Sequence, residues 1–177
     1  MEKALDIQKE VPGDHARGRP RAPANLIIYG DYECPYTRVA YRSAQRLERR
    51  FEERLRLVFR HFPLVDIHPH AQQAAEAAEA AAAQGRFWEL HEVLFRRQRA
   101  LEAPDLRRYA SQVGLDTERF WNEVGARTHA GRVSRDVASG MASGVRGTPT
   151  IFLNGERYSG DYRPEALGTQ LERVIAE

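Results

Sequence analysis

The sequence predicts an α/β fold in which a β-α-β unit and a later β-β-α unit enclose an all-helical insertion. Three observations predict it. An apolar strand signal, a single-striped helix and a second strand follow one another between residues 26 and 60. Helical periodicity then fills 69–144, and 145–177 returns to strand, hairpin and helix.

Residues 1–23 are rich in Glu, Lys, Arg, Pro and Gly and read as an irregular leader. Leu26-Ile27-Ile28-Tyr29 is the first strand signal, ended by Gly30-Asp31. After Cys34, apolar residues at Ala40, Ala44, Leu47 and Phe51 keep helical spacing, which gives one buried stripe on a charged helix running to about Glu53. Leu55, Leu57 and Phe59 alternate with Arg56, Val58 and Arg60 in a second strand, ended before Pro63. Strand, helix and strand at this spacing form a right-handed parallel β-α-β unit.

The stretch Ala71–Ala83 is nearly all Ala, Gln and Glu and is stopped by Gly85; Phe87-Trp88-Glu89-Leu90-His91 opens another amphipathic helix. Pro104, Asp116 and Thr128-His129 mark later helix starts. Thr150-Ile151-Phe152-Leu153, Asn154-Gly155 and Glu156-Arg157-Tyr158-Ser159 form a hairpin with a two-residue type I′ turn. Pro164 fits the first turn of a last helix carrying Leu167, Leu171, Val174 and Ile175. The expected divisions are therefore a leader at 1–23, the first half of the fold at 24–66, the helical insertion at 67–144 and the second half at 145–177.

With 42% hydrophobic and 29% charged residues over 177 positions, the chain has enough apolar surface for one continuous core and is too apolar for a disordered one. A net charge of +2 is close to balanced, and the arginines of Arg46–Arg54 are interleaved with glutamates. They should form solvated faces with intrahelical pairs, so no nucleic-acid partner is expected. No window approaches the length of a membrane span, so no membrane partner is expected either. The leader lacks an apolar signal-peptide core, which makes the cytoplasm the expected compartment, or the periplasm if a leader has been removed. The single cysteine excludes an intrachain disulfide, so its importance is chemical.

Cys34 follows a strand and a short loop and directly precedes a helix with Pro35 in its first turn. A helix N-terminus carries unpaired N–H groups and partial positive charge, and so favours a thiolate over a thiol. Thr37, one turn on, offers a hydroxyl and an amide to the sulfur, and Arg38 offers charge; the bland alternative is a small buried apolar cysteine. Gly147-Thr148-Pro149-Thr150 precedes the hairpin strand, where a cis Thr148–Pro149 bond would leave the Thr148 backbone free to pair with an extended peptide facing Cys34. The histidines of His68-Pro69-His70, with His61 and His91, read as loop histidines beside a helix-start proline, and no metal site is expected. Gly140, Gly144 and Gly147 lack the strand and lysine of a phosphate loop, no signature supports a Cys-His hydrolase, and Trp88 and Trp121 read as core.

Gly30-Asp31-Tyr32-Glu33-Cys34-Pro35-Tyr36, Phe87-Trp88-Glu89-Leu90-His91 and Val145–Gly155 together resemble the bacterial DsbA-like thioredoxin family, in order, from about Gly13 to Ile175. The resemblance implies a thioredoxin fold with an inserted helical subdomain, an active site at the helix start and a cis-proline loop beside it. Family members carry C-x-x-C, whereas Thr37 holds the second position here; Ile28 stands where the best-known members have an acidic residue six positions before the cysteine.

The function implied is a monothiol thiol–disulfide oxidoreductase, with Cys34 as nucleophile, Pro35 and Thr37 supporting it, and Thr148 and Pro149, beside Tyr36 and Gly147, binding the partner. That partner is a disulfide-containing or glutathionylated protein or a small thiol. No bound cofactor is expected; glutathione or another low-molecular-weight thiol would be a co-substrate. The alternatives are a non-catalytic binding or adaptor domain and a glutathione-dependent transferase or isomerase.

Overall fold

A computed structural model describes residues 9–177, so 1–8 of the expected leader lie outside the described residues. The elements run β1 (His15–Arg17), β2 (Ala24–Gly30), α1 (Pro35–Phe51), β3 (Leu55–His61), α2 (Ala71–Ala82), α3 (Phe87–Arg96), α4 (Ala103–Gln112), α5 (Thr117–Gly125), α6 (Ala130–Ala142), β4 (Thr150–Leu153), β5 (Glu156–Tyr158) and α7 (Pro164–Ala176). This is the order expected of a thioredoxin fold with a helical insertion, with one addition. β1 lies inside the stretch read as irregular leader and pairs antiparallel with β3, His15 opposite Phe59 and Arg17 opposite Leu57. Its three residues carry no apolar alternation for a sequence reading to detect; β3 supplies the pairing edge.

The sheet order is β1-β3-β2-β4-β5. β2 pairs antiparallel with β4, Leu26 opposite Leu153 and Tyr29 opposite Thr150. Ile27 and Ile28, adjacent and pointing to opposite faces, are both fully buried, so the sheet is covered on both sides at β2. The β4–β5 turn places Asn154 and Gly155 at φ 46° and 88°, the left-handed pair that a type I′ turn requires.

The chain divides into two compact units. The sheet unit comprises 9–30, Tyr36–Arg60 and Ser139–Glu177, and the helical unit comprises Asp31–Pro35 and His61–Ala138.

In the sheet unit, α1 buries Ala40, Ala44, Leu47 and Phe51 as its spacing predicts, together with Thr37, Tyr41 and Ser43. The intrahelical pairing expected along Arg46–Arg54 gives way to longer-range pairs. Glu48 is taken by Arg17 of β1 at 2.7 Å, and Arg50 reaches Glu172 of α7. Gly30 lets two elements close together, because a Cβ there would lie 2.6 Å from both the Phe59 ring and the Thr37 methyl. Arg60, on the polar side of the β3 alternation, is buried and not solvated. Its guanidinium donates to both Asp14 oxygens, at 3.0 and 2.7 Å, and to the Tyr29 hydroxyl at 2.8 Å. Burial opposes its charge, but the Asp14 and Tyr29 bonds more than offset that, so it holds its proton more tightly than a free arginine.

In the helical unit, α2 packs against α3, α4 and α5. Its alanines are buried nearly all round, the pattern of a core helix. The two glutamates within it have partners: Glu76 accepts from Arg127 at 2.7 Å and Glu79 lies 2.7 Å from His61 Nε2.

Candidate active site

The chain leaves β2 at Gly30 and turns once before α1. The Cys34 amide donates to the Asp31 carbonyl at 3.1 Å, which closes a β-turn, and Asp31 Oδ1 accepts from the Glu33 amide at 2.7 Å. An aspartate that hydrogen-bonds two residues on is what starts such a turn. α1 then begins at Pro35, where a missing N–H leaves no intrahelical bond unmade.

Cys34 is thus at the helix start as expected, and it is buried, only 3% exposed. The turn folds the residue inward, while Pro35 and Tyr36, the latter 63% exposed, face solvent. Thr37 is fully buried, and Arg38 is half-buried.

Within the helical unit, each residue of the turn is gripped from further along the chain. Asp31 Oδ2 accepts from the Leu64 amide at 2.8 Å and lies 2.8 Å from His68 Nδ1. Glu33 accepts from the His70 amide at 2.6 Å and lies 2.8 Å from His70 Nδ1. The Tyr32 hydroxyl is 2.7 Å from His91 Nδ1, and the Tyr32 ring also lies against Phe95. Gln98 Nε2 donates to the carbonyls of Tyr32 and Cys34, both at 2.8 Å.

Sequence reasoning treated these histidines as ordinary loop residues and did not select Asp31, Glu33 or Gln98. One signal was present. Asp31-x-Glu33 and His68-x-His70 share a spacing of two, and the fold sets the two pairs opposite each other.

Gly147, Thr148 and Pro149 stand together in the sheet unit, all half-buried, and the Thr148–Pro149 bond is cis. The Thr150 hydroxyl donates to the Gly147 carbonyl at 2.7 Å and ties the segment to β4. A cavity of about 290 Å³ opens beside Pro149, lined also by Ile151, Arg157, Tyr158 and Tyr162. Trp88 and Trp121 are half-buried.

Residues 10–173 match the model of a family described as Thioredoxin. A protein of Salinispora tropica named Na(+)/H(+) antiporter NhaA 3 is 45% identical over 172 residues, which is 97% of this chain and 26% of that protein. The chain therefore spans about a quarter of the length of the curated relatives it matches. No helix among the described residues is long and apolar enough to cross a membrane. Among solved structures, oxidised BdbD from Bacillus subtilis is similar with a TM-score of 0.84 and 20% identity, covering 95% of this chain and 96% of that one. A thioredoxin-like oxidoreductase from Silicibacter pomeroyi is similar with a TM-score of 0.81 and 26% identity, covering 97% and 95%.

Proposed function

The chain belongs to the thioredoxin family, and on that premise we propose that it is a monothiol thiol–disulfide oxidoreductase working through Cys34. The observation that carries this reading is that its one cysteine directly precedes a helix opening on proline. The start of a helix is an environment that favours a thiolate over a thiol.

In the reaction, the Cys34 thiolate attacks one sulfur of a disulfide or glutathionylated partner. A mixed disulfide forms, and the other sulfur leaves as a thiolate that takes a proton. A second thiol, glutathione or another small thiol of a cytoplasmic pool, then attacks the mixed disulfide and releases Cys34. Pro35 and Thr37 support the nucleophile. Thr148 and Pro149, with Tyr36 and Gly147, hold the partner, the Thr148 backbone pairing with an extended peptide.

The burial of Cys34 favours a second reading, a binding domain without turnover. The two separate on turnover of a glutathionylated peptide with glutathione, comparing the native chain with Cys34→Ala. Alanine is the better control, because a serine hydroxyl at this buried position would add a cost of about 1–3 kcal/mol. Loss of turnover in Cys34→Ala is expected; equal rates in both chains sink the exchange reading, and peptide binding without turnover by the native chain favours the adaptor.

A further inference from the structure

The Asp31 carboxylate is 1% exposed, and together with its own carbonyl it receives bonds from the Glu33, Leu64 and Cys34 amides and from His68. Both carboxylate oxygens already act as acceptors, so the His68 Nδ1 that faces them is the protonated nitrogen. Gln98 fixes the opposite side of the peptide chain by holding the Cys34 carbonyl. The amide and the carbonyl of Cys34 are therefore both tied down.

We propose that Asp31 and His68 are positioning residues for Cys34: the His68–Asp31 pair holds the turn that sets where the thiol stands and how far it is enclosed. The inference rests on Cys34 being the exchanging residue, and it deepens that reading by naming what aims the thiol. At 3% exposure the thiol reacts slowly with a small alkylating agent and gains access when the turn loosens, whereas exchange also depends on how the sulfur is aimed at a docked disulfide, which the held turn sets. Loosening the grip therefore raises alkylation and lowers turnover, and a thermal unfolding midpoint unchanged in the variants separates this local effect from a loss of overall stability.

The test compares His68→Ala with His68→Asn in the full chain, since the asparagine amide restores an N–H donor to Asp31. Three quantities are read: iodoacetamide modification of Cys34, hydrogen exchange of the Cys34 amide, and turnover of a glutathionylated peptide. In His68→Ala, alkylation should rise by about tenfold, the factor carried by one hydrogen bond to a charged group, with faster amide exchange and lower turnover. His68→Asn should return all three toward the native values. Alkylation of His68→Ala within about twofold of native, or no recovery in His68→Asn, overturns the proposal. Gln98→Ala gives an independent arm and should raise alkylation in the same direction; no rise there also counts against the grip. Should the native chain lack turnover, only the exchange reading falls, because alkylation and amide exchange still decide the positioning role.

Discussion

Thr37 occupies the position where a C-x-x-C site would carry its second sulfur, and it is fully buried with its methyl packed toward Gly30 and Phe59. A cysteine is smaller, and its sulfur suits an apolar setting, so Thr37→Cys should fold and, one helical turn from Cys34, form a disulfide under mild oxidant. Thiol titration with mass measurement checks this: two free thiols persisting after oxidation would mean the first turn of α1 does not bring positions 34 and 37 within bonding range. The place of Cys34, Pro35 and Thr37 at the helix start was legible in the sequence, because helix-start signals are local. Asp31, Glu33 and Gln98 were not, because their partners lie 37, 37 and 64–66 residues away and nothing in chain order says which loop meets which. The same limit hid the burial of Arg60, whose alternation with Leu57 and Phe59 reads as solvent-facing until Asp14 is folded against it.

Helix boundaries in the insertion follow short-range caps, and these the sequence displays. Asp116 caps α5 by accepting from the Arg119 amide at 3.0 Å, and Glu102 and Asp105 close a reciprocal box around the start of α4 beside Pro104. β1 was invisible by the same logic, since three residues without apolar alternation become a strand only through their neighbour. The link between α5 and α6 gives a prediction at this scale. Glu123 lies 2.7 Å from His129 Nε2 and accepts from Arg119 at 2.8 Å. The His129 bond, joined by that of Arg119 and opposed by burial, holds its carboxyl below the ordinary value of 4.5. A group depressed in this way contributes stability above its unfolded value and loses it as pH falls through the folded one. Glu123→Gln should therefore flatten the acid limb of the stability profile below pH 4.5, by roughly 0.5 kcal/mol after solvent screening. Thermal unfolding across that range checks it, and parallel profiles for the two chains would exclude the contribution.

At the scale of the whole molecule, Arg60 joins Lys9 and Asp14 in the leader to Tyr29 of β2, with side-chain exposures of 2% for the arginine and 1% for Asp14. Asp14→Ala leaves that guanidinium buried without its counter-charge, a loss of about 3–5 kcal/mol. For a chain of this size the midpoint of thermal unfolding should fall by about 6–20 °C; a change under about 1 kcal/mol would show that the leader is not part of the cooperative structure. The arrangement of the two units also has a temporal side. Asp31–Pro35 belong to the helical unit, yet they are made before the rest of it, and Gln98, which secures the Cys34 carbonyl, lies 64 residues later. At bacterial elongation rates that interval lasts about 3–13 seconds. For that time every newly made chain carries a Cys34 whose carbonyl is not yet held, open to mixed-disulfide formation while still on the ribosome.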